Sequence, residues 1–249
     1  YGTIGTPEKY FLQWKEEGDV ENLLDKYLLK LCEKQRFLEI INDFTLFDAG
    51  IKKLCRTHQY FGVKAAQEHV KRREGGIIWH TQGSGKSLTM VMLAQAIAME
   101  SSIRNPKIIL VTDRTDLDNQ ITGTFRKCGR FVENAATGQR LVELLESKSD
   151  SVVTTIINKF TAAVKKISKP LESSEIFVLV DEGHRTQHGT FNIEMQKTLP
   201  NACFIAFTGT PLFQRDKKTS DRFGGEIDRY TVDKAVKDKA VVPLLYEGR

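Results

Sequence analysis

The residues equipped for chemistry gather in two short strings, His80-Thr-Gln-Gly-Ser-Gly-Lys-Ser87 and Asp181-Glu-Gly-His184. In the first, Gly83 and Gly85 permit a turn with positive φ and a close backbone approach to oxygen atoms, which a Cβ would obstruct. Backbone N–H groups from Gly83, Ser84 and Gly85 onward, backed by a helix dipole, would cradle a polyphosphate. Lys86 would set a compact charge between the β- and γ-phosphates, and the Ser87 hydroxyl is the natural Mg²⁺ ligand. The second string supplies what such a cradle lacks. Asp181 would hold Mg²⁺ opposite Ser87, and Glu182 would orient or deprotonate an attacking water. The implied cofactors are ATP and Mg²⁺, and the implied reaction is nucleotide hydrolysis.

The strict pattern G-x-x-x-x-G-K-[ST] asks for glycine at position 80, where this chain has His80, but the two glycines nearest the phosphates are kept. A surface turn with a solvated lysine would explain neither the apolar run before it nor the helical pattern after it. His184 and His188 form an H-x₃-H pair, yet Arg185 stands where the helical zinc hydrolases place glutamate, so zinc ligation is not expected.

The elements that must position these groups follow from periodicity. Ile77-Ile78-Trp79 precedes the first string and Ile176 to Val180 precedes the second. Strands are expected at 77–79, 107–112, 152–156, 176–180 and 203–208, with helices at about 86–100, 115–127, 139–147, 158–167 and 190–198. Strands spaced by helices predict a parallel sheet covered on both faces, with both strings beyond strand carboxyl ends, where open α/β sheets place ligands. Residues 1 to about 74 read as helical. Thr6-Pro7-Glu8 suits a helix start, and Phe11, Trp14, Leu23, Leu24, Tyr27, Leu28 and Leu31 recur at three- and four-residue steps. Asp48-Ala49-Gly50 breaks that series, and a further helix is expected from about Ile51 to Arg73. After Pro211 the chain turns polar and reads as a linker, with one more helix from about Val232 to Lys239.

Composition is that of a globular protein, 40% hydrophobic and 28% charged, and its 249 residues allow a real core. The net charge of +5 is compatible with a polyanionic partner without requiring one. Cys32, Cys55, Cys128 and Cys203 are scattered without metal-ligand spacing, as in a reduced, cytoplasmic protein. No apolar run approaches the roughly 20 residues of a membrane span, so no membrane partner is expected. The start at Tyr1 and the end at Arg249 suggest a segment of something longer.

With Phe207-Thr-Gly-Thr-Pro211 added, these strings resemble motifs I, II and III of a superfamily 2 helicase-type motor with a RecA-like α/β fold. Arg56-Thr-His-Gln-Tyr-Phe61, Val111 to Leu117, Thr154 to Phe160 and Val241-Val-Pro-Leu244 narrow the resemblance to the R (motor and restriction) subunit of type I restriction endonucleases. Phe11 to Lys15 and Ile40 to Phe47 are similar to that family's stretch between nuclease and motor. The resemblance implies an ATP-driven translocase of double-stranded DNA that also serves in cleavage, working with methyltransferase (M) and specificity (S) subunits. It implies a helical linker segment over 1–50, a first RecA-like motor lobe over 51–212 and a linker toward a second lobe over 213–249. Gln59 would read adenine, with Arg56 three residues earlier on the same helical face. Thr208, Gly209 and Thr210, with His184, would couple nucleotide state to DNA grip, and Arg114, Gln120, Thr155 and Lys159 would contact the DNA backbone.

The family's Ala-His after the acidic pair is Gly183-His184 here, which removes no catalytic group. Neither an arginine-rich motif VI nor a complete nuclease site is found. Asp216-Lys217-Lys218 matches D-x-K but lacks a preceding strand and a partner carboxylate. The segment alone should therefore hydrolyse ATP poorly, an arginine finger being worth on the order of 10³–10⁵ in rate. The alternatives are another superfamily 2 DNA or RNA helicase motor lobe, and a scaffold with a vestigial nucleotide pocket.

Overall fold

The computed structural model describes residues 1–8, 11–16, 21–48, 50–112, 115–127, 131–147, 151–167, 169–181, 195–210 and 223–242, without the side chains of 23, 48, 116, 117, 120 and 121. Seven strands form one sheet: β3 (Gly76–His80), β4 (Lys107–Thr112), β5 (Glu133–Asn134), β6 (Ser151–Ile156), β7 (Ile176–Val180), β8 (Cys203–Thr208) and β9 (Glu226–Tyr230). Their order is β5-β6-β4-β7-β8-β3-β9, and every neighbouring pair is parallel. The parallel sheet with helices on both faces is the α/β class that the sequence leads one to expect.

Strand periodicity divides the core cleanly. Ile78, Ile108, Leu110, Phe177, Leu179, Ile205 and Phe207 point to one face. Their neighbours Ile77, Ile109, Val111, Val178, Val180 and Ala206 point to the other. Both sets are buried, which is why these strands read as continuous apolar runs and not as alternating ones. The first face is covered by α3 (Thr57–Lys71), α4 (Lys86–Met99) and α5 (Thr115–Lys127), which contribute Val63, Leu93 and Phe125. The second is covered by α6 (Gly138–Glu146) and α7 (Ile157–Lys166), which contribute Leu141, Leu145, Phe160 and Ala163.

Helix α4 is unusual because Thr89 through Ile97 are all buried. A helix apolar all round must be covered all round, and the cover comes from the first 54 residues. There, α1 (Leu23–Leu31) and α2 (Lys34–Asn42) precede an antiparallel hairpin of β1 (Thr45–Asp48) and β2 (Ile51–Leu54). Ile40, Phe44 and Leu46 join the α4 core, and Gln95 Nε2 donates to the Asn42 carbonyl at 3.1 Å. Arg36 lies over the rings of Trp14, Tyr60 and Phe61 and donates to Glu16, fixing this layer to α3.

Three local expectations are corrected. The segment before the sheet is not wholly helical: residues 51–54 form β2, and the helix expected there begins only at Thr57. Hairpin pairing with Thr45–Asp48 overrides the helical spacing of this short apolar stretch. Phe11 to Glu16 are not helical either. Thr6 closes a turn onto Thr3, and Leu12 donates to the Tyr1 carbonyl at 2.9 Å, which delivers Trp14 to the Tyr60 ring at a centroid distance of 5.3 Å. Past residue 212, β9 extends the sheet and is followed by α8 (Val232–Lys237). Its Glu-Ile-Asp-Arg-Tyr sequence reads as polar because it is an edge strand with one side open. Arg229 pairs there with Glu226 and covers the Trp79 ring.

Cys32, Cys55 and Cys203 are free thiols; burial pushes the pKa of Cys55 and Cys203 up to about 12, so neither is a nucleophile. Among the described residues, no helix is long and apolar enough to cross a membrane.

Candidate nucleotide site

Strands β7, β8 and β3 lie side by side, so the stretches leaving their carboxyl ends converge. Register places Trp79 beside Thr208 and Val180 beside Ala206. From β3 the chain turns through Gly83 and Gly85, at φ +80° and +92°, directly into α4 at Lys86. No side chain caps that helix start. First-turn N–H groups lack an intrahelical acceptor, an arrangement that suits an anionic ligand. The Ser84 hydroxyl is buried with no partner among the described residues, as expected of a loop shaped around an absent anion.

The turn leaving β8 closes against this loop. A Cβ on Gly209 would stand 3.0 Å from Lys86 Nζ and 3.4 Å from the Gln82 nitrogen, so only glycine fits without displacing the lysine. Thr208 is buried and its Oγ1 accepts from the Thr210 N–H at 3.2 Å, which fixes the turn that carries Gly209. Asp181 leaves β7 with its N–H on the Val111 carbonyl at 2.8 Å and is 8% exposed. Residues 86, 87, 181 and 208–210 are thus brought to one end of the sheet. Glu182, His184 and His188 lie outside the described residues, as does Asp216-Lys217-Lys218.

Helix α3 reaches the loop from the side. Arg56 is not on a helical face with Gln59; it is the extended residue before α3, and its N–H donates to Gln59 Oε1 at 2.9 Å. Gln59 Nε2 donates to the Gly85 carbonyl at 3.2 Å and to Thr89 Oγ1 at 3.3 Å. A cleft of about 420 Å³ lies beside these groups, lined by Arg56, Gln59, Gly83, Ser84, Gly85 and Leu88, and walled by the hairpin and residues 1–12.

Sequence reasoning passed over His58, Asp228 and Tyr230. His58 Nε2 is 3.0 Å from the Ser84 carbonyl, and its ring stacks on Tyr230 at 3.8 Å and 8°. Burial, with His80 close by, pushes its pKa down to about 4, so it is neutral near pH 7 and Nε2 carries the proton given to Ser84. His80 is fully buried and bonds Asp228 Oδ2 at 2.6 Å. Gly62 makes room for that pair, since a Cβ there would meet both partners at about 3.0 Å. The one available signal was His80 itself, a histidine where the strict loop pattern has glycine. Nothing in the sequence ties it to a carboxylate far along the chain.

Of the residues expected to contact DNA, the side chains of Thr155 and Lys159 are described. Thr155 is 1% exposed with its hydroxyl inside the fold, so its side chain does not face solvent. Lys159 is half-buried in the first turn of α7. Arg114 and the Gln120 side chain lie outside the described residues.

A parallel α/β lobe with a glycine turn entering a helix, an acidic strand end and a Thr-Gly-Thr turn between them defines the helicase type of P-loop ATPase. The chain belongs to the SWI2/SNF2 ATPase family, whose model matches residues 58–249. It is 32% identical to the putative type I restriction enzyme MjaIXP endonuclease subunit of Methanocaldococcus jannaschii over 95% of its length. It is also 32% identical to the type I restriction enzyme HindI endonuclease subunit of Haemophilus influenzae over 99% of its length. The chain spans about a quarter of those relatives, 24% and 27% respectively. The Type ISP restriction-modification enzyme LlaGI, solved as a nuclease-deletion mutant with a DNA substrate mimic, shares the fold at a TM-score of 0.56. Identity there is 16%, covering 76% of this chain and 21% of that one.

Proposed function

We propose that this chain is the first RecA-like lobe of a double-stranded DNA translocase of the type I restriction kind, binding ATP with Mg²⁺ at the ends of β3, β8 and β7. The observation that carries the reading is the contact of the Gly209 turn with Lys86 between the loop and Asp181. The 32% identity to two type I restriction endonuclease subunits, sustained along the chain, supports the choice of system.

The residues fit the group they would hold. The glycine turn and uncapped helix start present N–H donors to phosphate, and Lys86 adds a charge held in place against Gly209. Ser87 and Asp181 would hold Mg²⁺, which when bound neutralises phosphate charge. Glu182 would orient the attacking water and accept its proton. Gln59 and Arg56 border the cleft suited to the base. The Thr208 to Thr210 turn and His184 would pass nucleotide state to the DNA grip, to which Arg114, Gln120 and Lys159 would contribute. Residues 51–212 together with β9 would be the lobe, with 1–50 joining it to a nuclease and the chain after β9 leading to a second lobe. M and S subunits would complete a cytoplasmic restriction complex.

In the full-length protein assembled with those subunits, Lys86→Ala should abolish ATP hydrolysis stimulated by duplex DNA. Retained stimulated turnover would sink the proposal, and stimulation of the parent by RNA alone would move it to another superfamily 2 helicase class.

A further inference from the structure

Helix α3 helps to set which way the peptide units of the phosphate loop face. A trans peptide holds its C=O and N–H on opposite sides, and this chain has no cis bond among the described residues. His58 holds the Ser84 carbonyl at 3.0 Å, so the N–H of the same unit, on Gly85, is turned away from α3. The next carbonyl, Gly85, accepts from the Thr89 N–H at 3.1 Å as the first acceptor of α4 and from Gln59 Nε2 at 3.2 Å, which together turn the Lys86 N–H the same way. His58 alone thus draws back the first of two consecutive carbonyls, Gln59 and α4 share the second, and two consecutive donors face the side where phosphate would sit.

His58 is itself fixed from beyond the loop. Its ring lies flat on Tyr230 of β9, whose hydroxyl donates to Asp238 at 3.0 Å. Beside it, His80 enters the loop bonded to Asp228 of the same strand, and Thr81 N–H donates to the Tyr230 carbonyl at 3.0 Å. After α8 the chain returns over the loop, where a Cβ on Gly83 would stand 3.2 Å from Val241 Cγ1. The edge strand therefore grips the loop through side chains and backbone. A glycine at position 80 would lack the Asp228 bond, which gives the departure from the strict pattern a purpose.

We propose that His58, braced by Tyr230 and by the His80–Asp228 pair, is a positioning residue of the nucleotide site that orients the Gly85 N–H toward phosphate. The proposal rests on the ATPase reading above. It makes β9 part of the nucleotide machinery although no β9 side chain would touch nucleotide.

The test uses the full-length protein in its complex, with a fluorescent ADP analogue plus Mg²⁺ for affinity and duplex-stimulated ATP hydrolysis for KM and kcat. Replacing a hydrogen-bonded orienting group should weaken analogue binding and raise KM roughly tenfold in His58→Ala, with kcat changed less. His58→Gln, which retains an N–H donor, should recover most of that loss. Tyr230→Leu, which removes the stacked ring, should follow His58→Ala. Variants that melt like the parent but bind the analogue equally well would overturn the proposal. So would a failure of glutamine to rescue while Tyr230→Leu is silent. If Tyr230→Leu does not fold, the His58 pair alone decides. A parent that binds no analogue, indistinguishable from Lys86→Ala, would instead remove the ATPase reading and this inference with it.

Discussion

The two halves of the sheet are built on different principles. Around β7, β8 and β3, order at the strand ends comes from backbone geometry: glycines at positive φ, carbonyls held by α3, and a turn that packs Gly209 against Lys86. Around β4, β6 and β5, order comes from side-chain packing, with Leu141, Leu145, Phe160 and Ala163 closing one face. A small buried network of Thr122, Thr154, Asn134 and Asp118 lies toward α5. The first half should tolerate changes in stability but not in loop conformation. The second should behave in the opposite way.

The largest expected effect is at Gly85. A Cβ there would stand 2.9 Å from Gln59 Nε2 at φ +92°, so Gly85→Ala should weaken nucleotide binding roughly a hundredfold, ~2.7 kcal/mol. Its folding cost should be smaller, about 1–2 kcal/mol. Titration with the fluorescent analogue beside urea denaturation measures both, and equal losses would erase the contrast. Phe160→Ala, at a fully buried site in the packed half, should cost about 3–5 kcal/mol of stability. Nucleotide affinity of the folded fraction should stay within about twofold of the parent. A large affinity loss there would show the halves to be coupled.

Acid should weaken the nucleotide half in a defined window. His58 has a pKa of 6.5 when unperturbed and about 4 in the fold, lowered by burial, then His80, with Arg56 adding and the Ser84 carbonyl and Asp238 opposing. The unfolded chain binds that proton first, so the stability due to neutral His58 is complete above about pH 6.5 and is lost as pH falls toward 4. His58→Gln should flatten this part of the urea-midpoint profile, and an unchanged profile would exclude His58 as its source. The smallest effect is expected at Thr155, whose Oγ1 is buried with no partner among the described residues. Thr155→Val should be neutral or stabilising by about 1 kcal/mol and leave duplex-stimulated hydrolysis intact. A loss of stimulation would restore Thr155 to a DNA-contacting role.

Much of this organisation could be read from the chain. Strands 107–112, 176–180 and 203–208 stand where the apolar runs place them, because strands buried on both faces leave an unbroken signal. The positions of Lys86, Ser87 and Asp181 beyond strand ends, and of Thr208 at the end of its strand, were legible for the same reason. Residues 51–54 misled because a four-residue hairpin strand is decided by its partner and not by its own pattern. Likewise, β9 was hidden by its charged open side, and with it the Asp228 and Tyr230 contacts. His58 could not be recognised because its role depends on a ring from the sheet edge.

The enclosure of α4 sets how the molecule breathes. Amide hydrogens between Met90 and Ile97 can meet solvent only after the layer carrying Ile40, Phe44 and Leu46 lifts or the whole core opens. Their exchange should therefore be among the slowest in the molecule. The first-turn amide at Ser87, on the same helix, should exchange many times faster until an anion covers it. One helix would then carry both the most protected hydrogens and the one most sensitive to ligand, an internal reference for timing nucleotide arrival by mass shift.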